Sequence, residues 1–212
     1  MKHIVCIGDS ITSGENNNFV SYVPKLQTLL GSNYSVEGIG ISGITLDNYS
    51  IYPVGYDESI LSLILKNKST LSTADIIVLE FGVNDASALT VKNVTFRQVA
   101  IALTKVLDAI SQINSSAKIY FLSNTPQYIP VEYALEHCQY LQNYFDGIFT
   151  PISPKEWLSN YKSICTLVGS REVFVVPMYE SGFQLYEYLS EDRIHPTDAG
   201  YEVIARNVAK RL

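Results

Sequence analysis

Five short, mostly apolar runs, at residues 4–7, 34–37, 75–81, 118–122 and 173–176, recur along this chain, each followed by a punctuated loop. Runs of that length and character are strands covered on both faces. Helical periodicity fills the gaps. Phe19, Tyr22, Val23, Leu26, Leu29 and Leu30 share one face that stops at Gly31, and Phe96, Val99, Ala100, Leu103, Val106, Leu107 and Ile110 form a longer stripe. Ala134, Cys138, Leu141 and Phe145 repeat at helical spacing. Ser153-Pro154-Lys155-Glu156 reads as a capping box opening a helix that buries Trp157, Tyr161, Ile164, Cys165 and Val168. A last helix is expected from about 197 to 211, with Val203, Ile204 and Val208 inward. Alternation of this kind implies right-handed crossovers and an α/β fold with a parallel sheet between helical layers.

With 212 residues, 47% of them hydrophobic, the chain is long enough for one well-packed core, and no repeat or linker divides it. The expectation is one domain over 1–212. A net charge of -6 and a pI near 5.0, with no basic cluster, argue against nucleic acid and for a small-molecule or polysaccharide substrate. Cys6, Cys138 and Cys165 are odd in number and widely spaced, so they suggest neither a disulfide framework nor a metal site; Cys6 reads as a buried, inert thiol. The apolar stretch after Met1-Lys2-His3 is too short for a signal-peptide core, and no run is long enough for a membrane span, so a cytoplasmic location is expected. Oligomeric state is not encoded in any of these features.

The chemistry-bearing residues stand just past the strand runs, where ligands gather in open parallel sheets. Ser10, in Gly8-Asp9-Ser10-Ile11, follows the first run. Gly43 lies in the loop after the second, Asn84 follows the third, and Asp192-Arg193-Ile194-His195 precedes the last helix. A serine hydroxyl is a weak nucleophile until a base takes its proton, and a histidine base works best when a carboxylate fixes its tautomer. Asp192 and His195, three apart, meet that need, and Pro196 turns His195 away from helical geometry. The Asn84 amide and the Gly43 N–H can serve an oxyanion. Taken singly, each has a plainer reading: Asp192 and His195 as a helix-capping pair, Ser10 as a strand-end cap, Asn84 as a turn cap and Gly43 as a turn glycine. Glu15 stands where a phosphate-binding loop needs lysine, and residues 8–12 do not form a Gly-x-Ser-x-Gly elbow. No second His or Cys cluster stands near His195 to complete a metal site.

Together the four blocks, Gly8-Asp9-Ser10-Ile11-Thr12-Ser13-Gly14, Gly40-Ile41-Ser42-Gly43-Ile44-Thr45, Gly82-Val83-Asn84-Asp85 and Asp192-Arg193-Ile194-His195-Pro196, resemble the SGNH hydrolases, or GDSL-type esterases and lipases, over nearly the whole chain. The resemblance implies a flavodoxin-like three-layer α/β/α fold with a five-stranded parallel sheet in the order 2-1-3-4-5. It implies Ser10, His195 and Asp192 as catalytic triad, Ser10, Gly43 and Asn84 as oxyanion hole, and no metal or organic cofactor. The chain departs from the pattern at Ile44, where many relatives carry aspartate, which alters the hydrogen bonding of that loop. The expected activity is hydrolysis of short acyl esters, chiefly acetyl, on a carbohydrate or similar polar alcohol. Tyr49, Tyr52, Tyr56 and Tyr179 near the rim suit sugar rings; Tyr133, Tyr140 and Tyr144 share one helical face that offers a stacking platform, but half-buried tyrosines covering a core are the favoured reading there. The alternatives are a lysophospholipase or other lipid esterase, an acyltransferase, and a non-catalytic carbohydrate-binding module on a disabled hydrolase scaffold.

Overall fold

The strand runs assemble into one parallel sheet in the order β2-β1-β3-β4-β5, in a computed structural model that describes residues 1–48, 58–85, 96–123, 173–177, 188–190 and 195–212. The strands are β1 (Lys2–Gly8), β2 (Tyr34–Gly40), β3 (Ile76–Glu80), β4 (Lys118–Ser123) and β5 (Val173–Pro177). The expected flavodoxin-like strand order is therefore the observed one. Between them lie α1 (Ser10–Ser13), α2 (Tyr22–Leu30), α3 (Ile60–Lys66), α4 (Lys68–Ser72) and α5 (Phe96–Ile113), and α6 (Asp198–Ala209) follows β5.

Side chains alternate across a strand, so the buried residues of β1, β3 and β4 divide into two sets. Val5, Ile7, Ile77, Leu79, Ile119 and Phe121 face one way and pack with Ile60, Leu63 and Ile64 of α3 and Leu103, Val106, Leu107 and Ile110 of α5. Ile4, Cys6, Ile76, Val78, Tyr120 and Leu122 face the other and pack with Tyr22, Val23 and Leu26 of α2 and Tyr201, Ile204 and Val208 of α6. Three layers follow from that division. The Cys6 thiol, wholly buried, is pushed up to about 12 by desolvation, which keeps it protonated and unreactive.

Several helices differ from their sequence patterns. The apolar stripe predicts Phe19 on the buried face of α2, but the helix starts at Tyr22, capped by Ser21, whose side chain accepts from Val23 N. Phe19 lies before it at φ +61° and is 73% exposed, and Leu29 is also exposed. Helix α3 has no counterpart in the sequence reading. Its apolar positions Ile60, Leu63 and Ile64 have helical spacing, and its cap is a reciprocal Ser59–Ser62 pair in place of the usual acidic partner. In α6, Ile204 and Val208 are buried as expected while Val203 is only half-buried. The capping box at 153–156, the helix bearing Trp157 and the Tyr133, Tyr140 and Tyr144 face lie outside the described residues.

The carboxyl ends of the strands are level. Gly8 pairs with Gly40 on one side and Glu80 on the other. A Cβ on Gly8 would collide with Thr12 Oγ1 and the Glu80 carbonyl, and one on Gly40 would strike Ser13 N and lie 2.8 Å from the Asp9 carbonyl. These two positions bring the chain that follows β1 down onto its neighbours. Among the described residues, no helix is long and apolar enough to cross a membrane.

Candidate active site

Ser10 is presented by a tight turn. The Asp9 side chain caps α1 by accepting from Ile11 N at 2.9 Å, the Asp9 carbonyl accepts from Thr12 N and Ser13 N, and Gly14, at φ +70°, donates its N–H to the Ser10 carbonyl at 2.9 Å. The positive φ at Gly14 suits glycine and stops the helix after one turn. Ser10 Oγ then lies 2.7 Å from His195 Nε2, across 185 residues of sequence. With the ring proton on Nδ1, Nε2 accepts the hydroxyl hydrogen.

His195 is held from both sides. Leu189 and Pro196 form an antiparallel bridge in which Ser190 N donates to the His195 carbonyl at 2.8 Å and Thr197 N to the Tyr188 carbonyl at 2.9 Å. Immediately afterwards Thr197 caps α6 by accepting from Gly200 N, and a Cβ on Gly200 would strike the Tyr188 carbonyl. The imidazole is thus fixed by backbone pairing and by the start of a packed helix.

Asn84 leaves β3 through Gly82, at φ +125°, and is buried. Its Nδ2 donates to the Ile44 carbonyl at 3.0 Å and to Asp9 Oδ2 at 3.4 Å. The first bond takes one amide hydrogen, while the second is long enough to yield to a stronger acceptor. Gly43, at φ +73°, is the third residue of the turn closed by Ile44 N donating to the Ile41 carbonyl. Such a turn needs positive φ there. Ile44, the position at which the chain departs from the pattern it resembles, buries its side chain in the core and contributes its carbonyl as the acceptor for Asn84. Asp85 ties the same loop down by accepting from Leu46 N at 3.0 Å. At the rim, Ser42 donates to the Glu15 carboxylate, which links the Gly43 turn to the serine turn.

Beneath the turn lies a feature that sequence reasoning missed. Glu80, the last residue of β3, is completely buried beside Asp9, which is also completely buried. Thr12 Oγ1 donates to Glu80 Oε2 at 3.0 Å, Asp9 N approaches the same oxygen at 3.4 Å, and Tyr22 OH lies 3.3 Å from Thr12 Oγ1. Desolvation pushes both carboxyls upward, and the Asp9 charge pushes Glu80 further. Donation from the Ile11 N–H and attraction from His195 favour the charged form of Asp9, whereas the Asp9 charge favours the protonated form of Glu80. Its Oε1 is buried, and among the described residues no donor faces it. The signal available in the sequence was an acid at the end of a strand otherwise built from Ile76, Ile77, Val78 and Leu79.

The structure thus brings Ser10, His195 and Asn84 together, with Gly43 one residue from the Asn84 acceptor. Asp192 lies outside the described residues, as do Tyr49, Tyr52, Tyr56 and Tyr179. His3, on β1, faces Thr73 and Glu37 and takes no part in this cluster. Among the described residues, no group of three His, Cys, Asp or Glu side chains is placed to hold a metal ion.

The family model described as the GDSL-like lipase/acylhydrolase family matches residues 6–203. Among solved structures, the chain is similar to the lipase Lip_vut3 from a goat rumen metagenome, at 18% identity over 99% of this chain and 97% of that one, with a TM-score of 0.68. A carbohydrate acetylesterase family member from Sinorhizobium meliloti shares 16% identity over 100% and 97% of the chains, with a TM-score of 0.67. A family 3 carbohydrate esterase from Clostridium thermocellum shares 20% identity over 99% and 94%, with a TM-score of 0.60. No curated protein matches the chain.

The buried carboxyl pair has a thermodynamic signature. A carboxyl whose native pKa lies above its unfolded value retains a proton that the unfolded chain releases, so stability falls as pH rises from the unfolded value, 4.5 for Glu80, towards the raised native one. The slope from one such proton is at most about 1.4 kcal/mol per pH unit. Glu80→Gln, which carries no titrating proton, should lack this slope. Urea unfolding from pH 4.5 to 8 should therefore show wild type losing stability relative to Glu80→Gln as pH rises; parallel curves would mean that Glu80 is ionised in the native state.

Proposed function

The chain belongs to the GDSL-like lipase/acylhydrolase family and is an ester-hydrolysing serine hydrolase, and from that premise we propose that Ser10, His195 and Asp192 carry out hydrolysis through an acyl-enzyme. The observation that carries this reading is the 2.7 Å contact between Ser10 Oγ and His195 Nε2. His195 Nε2 takes the hydroxyl proton as Ser10 Oγ attacks the ester carbonyl carbon, and the carbonyl oxygen becomes an oxyanion. Ser10 N–H, Gly43 N–H and the Asn84 amide stabilise it, the Asn84 hydrogen being the one held loosely by Asp9 at 3.4 Å. The intermediate collapses, the protonated imidazole gives its proton to the departing alkoxide, and the alcohol leaves. Water then attacks the acyl-serine by the same route, with His195 again base and then acid, and the carboxylic acid is released. Asp192 keeps the ring proton on Nδ1 and stabilises the imidazolium.

The substrate we assign is a short acyl ester, chiefly acetyl, of a carbohydrate or similar polar alcohol. What supports this is the polar character of the described rim, where Ser42 donates to the Glu15 carboxylate between the Gly43 turn and the serine turn. The fold is shared with solved carbohydrate esterases as well as with a lipase.

Ser10→Ala and His195→Ala should each lower kcat by several orders of magnitude, with the double variant hardly slower than either single one, because the residues act as a unit. Asn84→Ala should lower kcat by about 10²- to 10³-fold with little change in KM. A Ser10→Ala enzyme retaining a tenth of the wild-type rate would end the assignment.

The substrate reading is checked by kcat/KM for acetyl, butyryl, octanoyl and palmitoyl esters of one alcohol, with acetate release from acetylated saccharides alongside. The rate should be greatest for acetyl and fall with chain length. A rate rising through octanoyl, with no acetate released from any saccharide, would favour a lipid esterase.

A further inference from the structure

Several groups on this protein lie outside the reaction just described, and one of them touches its machinery at two points. Glu80 is a completely buried acid on a strand that packs on both faces, a position where an unpaired carboxylate is strongly disfavoured. Its surroundings come from separate elements: Thr12 from α1, Asp9 from the end of β1, and Tyr22 from α2 through Thr12. Gly8 leaves room for this approach, since a Cβ there would lie 2.7 Å from Glu80 Oε2. Asp9 in turn holds the two sides of the proposed reaction centre: Oδ1 accepts from Ile11 N in the serine turn, and Oδ2 accepts from the Asn84 amide.

We propose that Glu80 is a positioning residue for this reaction: its carboxyl donates a hydrogen bond to Asp9 and thereby fixes the carboxylate that sets the Ser10 turn and the Asn84 amide at the same time. This role rests on the assignment of Ser10 as nucleophile and Asn84 as oxyanion donor. Glu80 touches no substrate. It acts through Asp9, whose two oxygens accept from the Ile11 N–H of the serine turn and from the Asn84 amide. Without the Glu80 hydrogen bond, the Asp9 carboxylate keeps the Ile11 N–H and the long Asn84 contact but loses a third anchor, and the loosely held Asn84 amide loses its reference point. A catalytic donor displaced by a fraction of an ångström loses much of its effect on the transition state while ground-state binding is little changed.

The test compares two substitutions of similar volume. Glu80→Gln keeps a donor for Asp9 in its amide N–H and an acceptor for Thr12 in its carbonyl, whereas Glu80→Met fills the space without either. With an acetyl ester as substrate, Glu80→Gln should retain kcat within about threefold of wild type. Glu80→Met should lose at least about tenfold in kcat, with KM within about twofold, and should also be less stable than wild type, because Thr12 Oγ1 and Asp9 N lose their buried acceptor. A purely structural role for Glu80 would lower stability alone and leave kcat of the folded enzyme unchanged. Equal kcat in Glu80→Met and wild type would overturn the proposal, as would a Glu80→Gln enzyme as slow as Glu80→Met. Should Glu80→Met not fold, Glu80→Asp decides in its place: it keeps the acid but withdraws it by one methylene, and a kcat within twofold of wild type would overturn the proposal. Ser10→Ala measured alongside separates the two levels. Hydrolysis abolished by Ser10→Ala but unaffected at Glu80 overturns the role of Glu80 alone, and hydrolysis surviving Ser10→Ala overturns both.

Discussion

The arrangement depends on β1 being hydrogen-bonded on both sides in register with its neighbours, which places Gly8 between Gly40 and Glu80. No side chain fits at Gly8 or Gly40 without displacing Thr12, Ser13 or the backbone of Glu80. The chain leaving β1 must therefore fold at once into the α1 turn, and that turn sets Ser10 at the level where β2 and β3 also end. The Gly43 turn and Asn84 arrive at the same level because their strands are in register with β1, and the Asn84 amide closes the gap by donating to the Ile44 carbonyl. A displaced register on either side would separate the groups that the reaction brings together.

The carboxyl pair below Ser10 has a cost and a use. Two acids side by side in a dry interior disfavour ionising together, and burial pushes both carboxyls upward, Glu80 further because of the Asp9 charge. A well-packed apolar substitute would stabilise the fold at least as well. What the pair supplies is a rigid polar junction linking α2, α1, β3 and the Asn84 loop through Tyr22, Thr12, Glu80 and Asp9. Hydrogen-bond directions fix orientation in a way that apolar contacts do not.

Much of this was readable in the amino-acid sequence, for reasons that differ between elements. The strands were legible because residues covered on both faces must be apolar, and the helices α2, α5 and α6 because their buried stripes have helical spacing. Ser10, Gly43, Asn84 and His195 were legible through local blocks at strand ends, although nothing in composition or periodicity could bring Ser10 to within 2.7 Å of His195. Phe19 misled because its apolar character matched the α2 stripe while the backbone there turns through positive φ at Asn18 and Phe19. Helix α3 went unread because its cap is serine with serine. Glu80 was hidden inside a run read as one strand. Its partners lie 68 and 71 residues away, and only the sheet register brings them together.

The central claim is that Ser10 becomes covalently acylated, and the most direct measurement is intact-protein mass spectrometry of the enzyme quenched in acid during turnover of an activated acetyl ester, followed by peptide mapping. A 1:1 acetyl adduct located on Ser10, absent from Ser10→Ala and absent without substrate, is the predicted result. Hydrolysis proceeding at full rate with no adduct at Ser10, or with the acetyl group on another residue, would contradict the account.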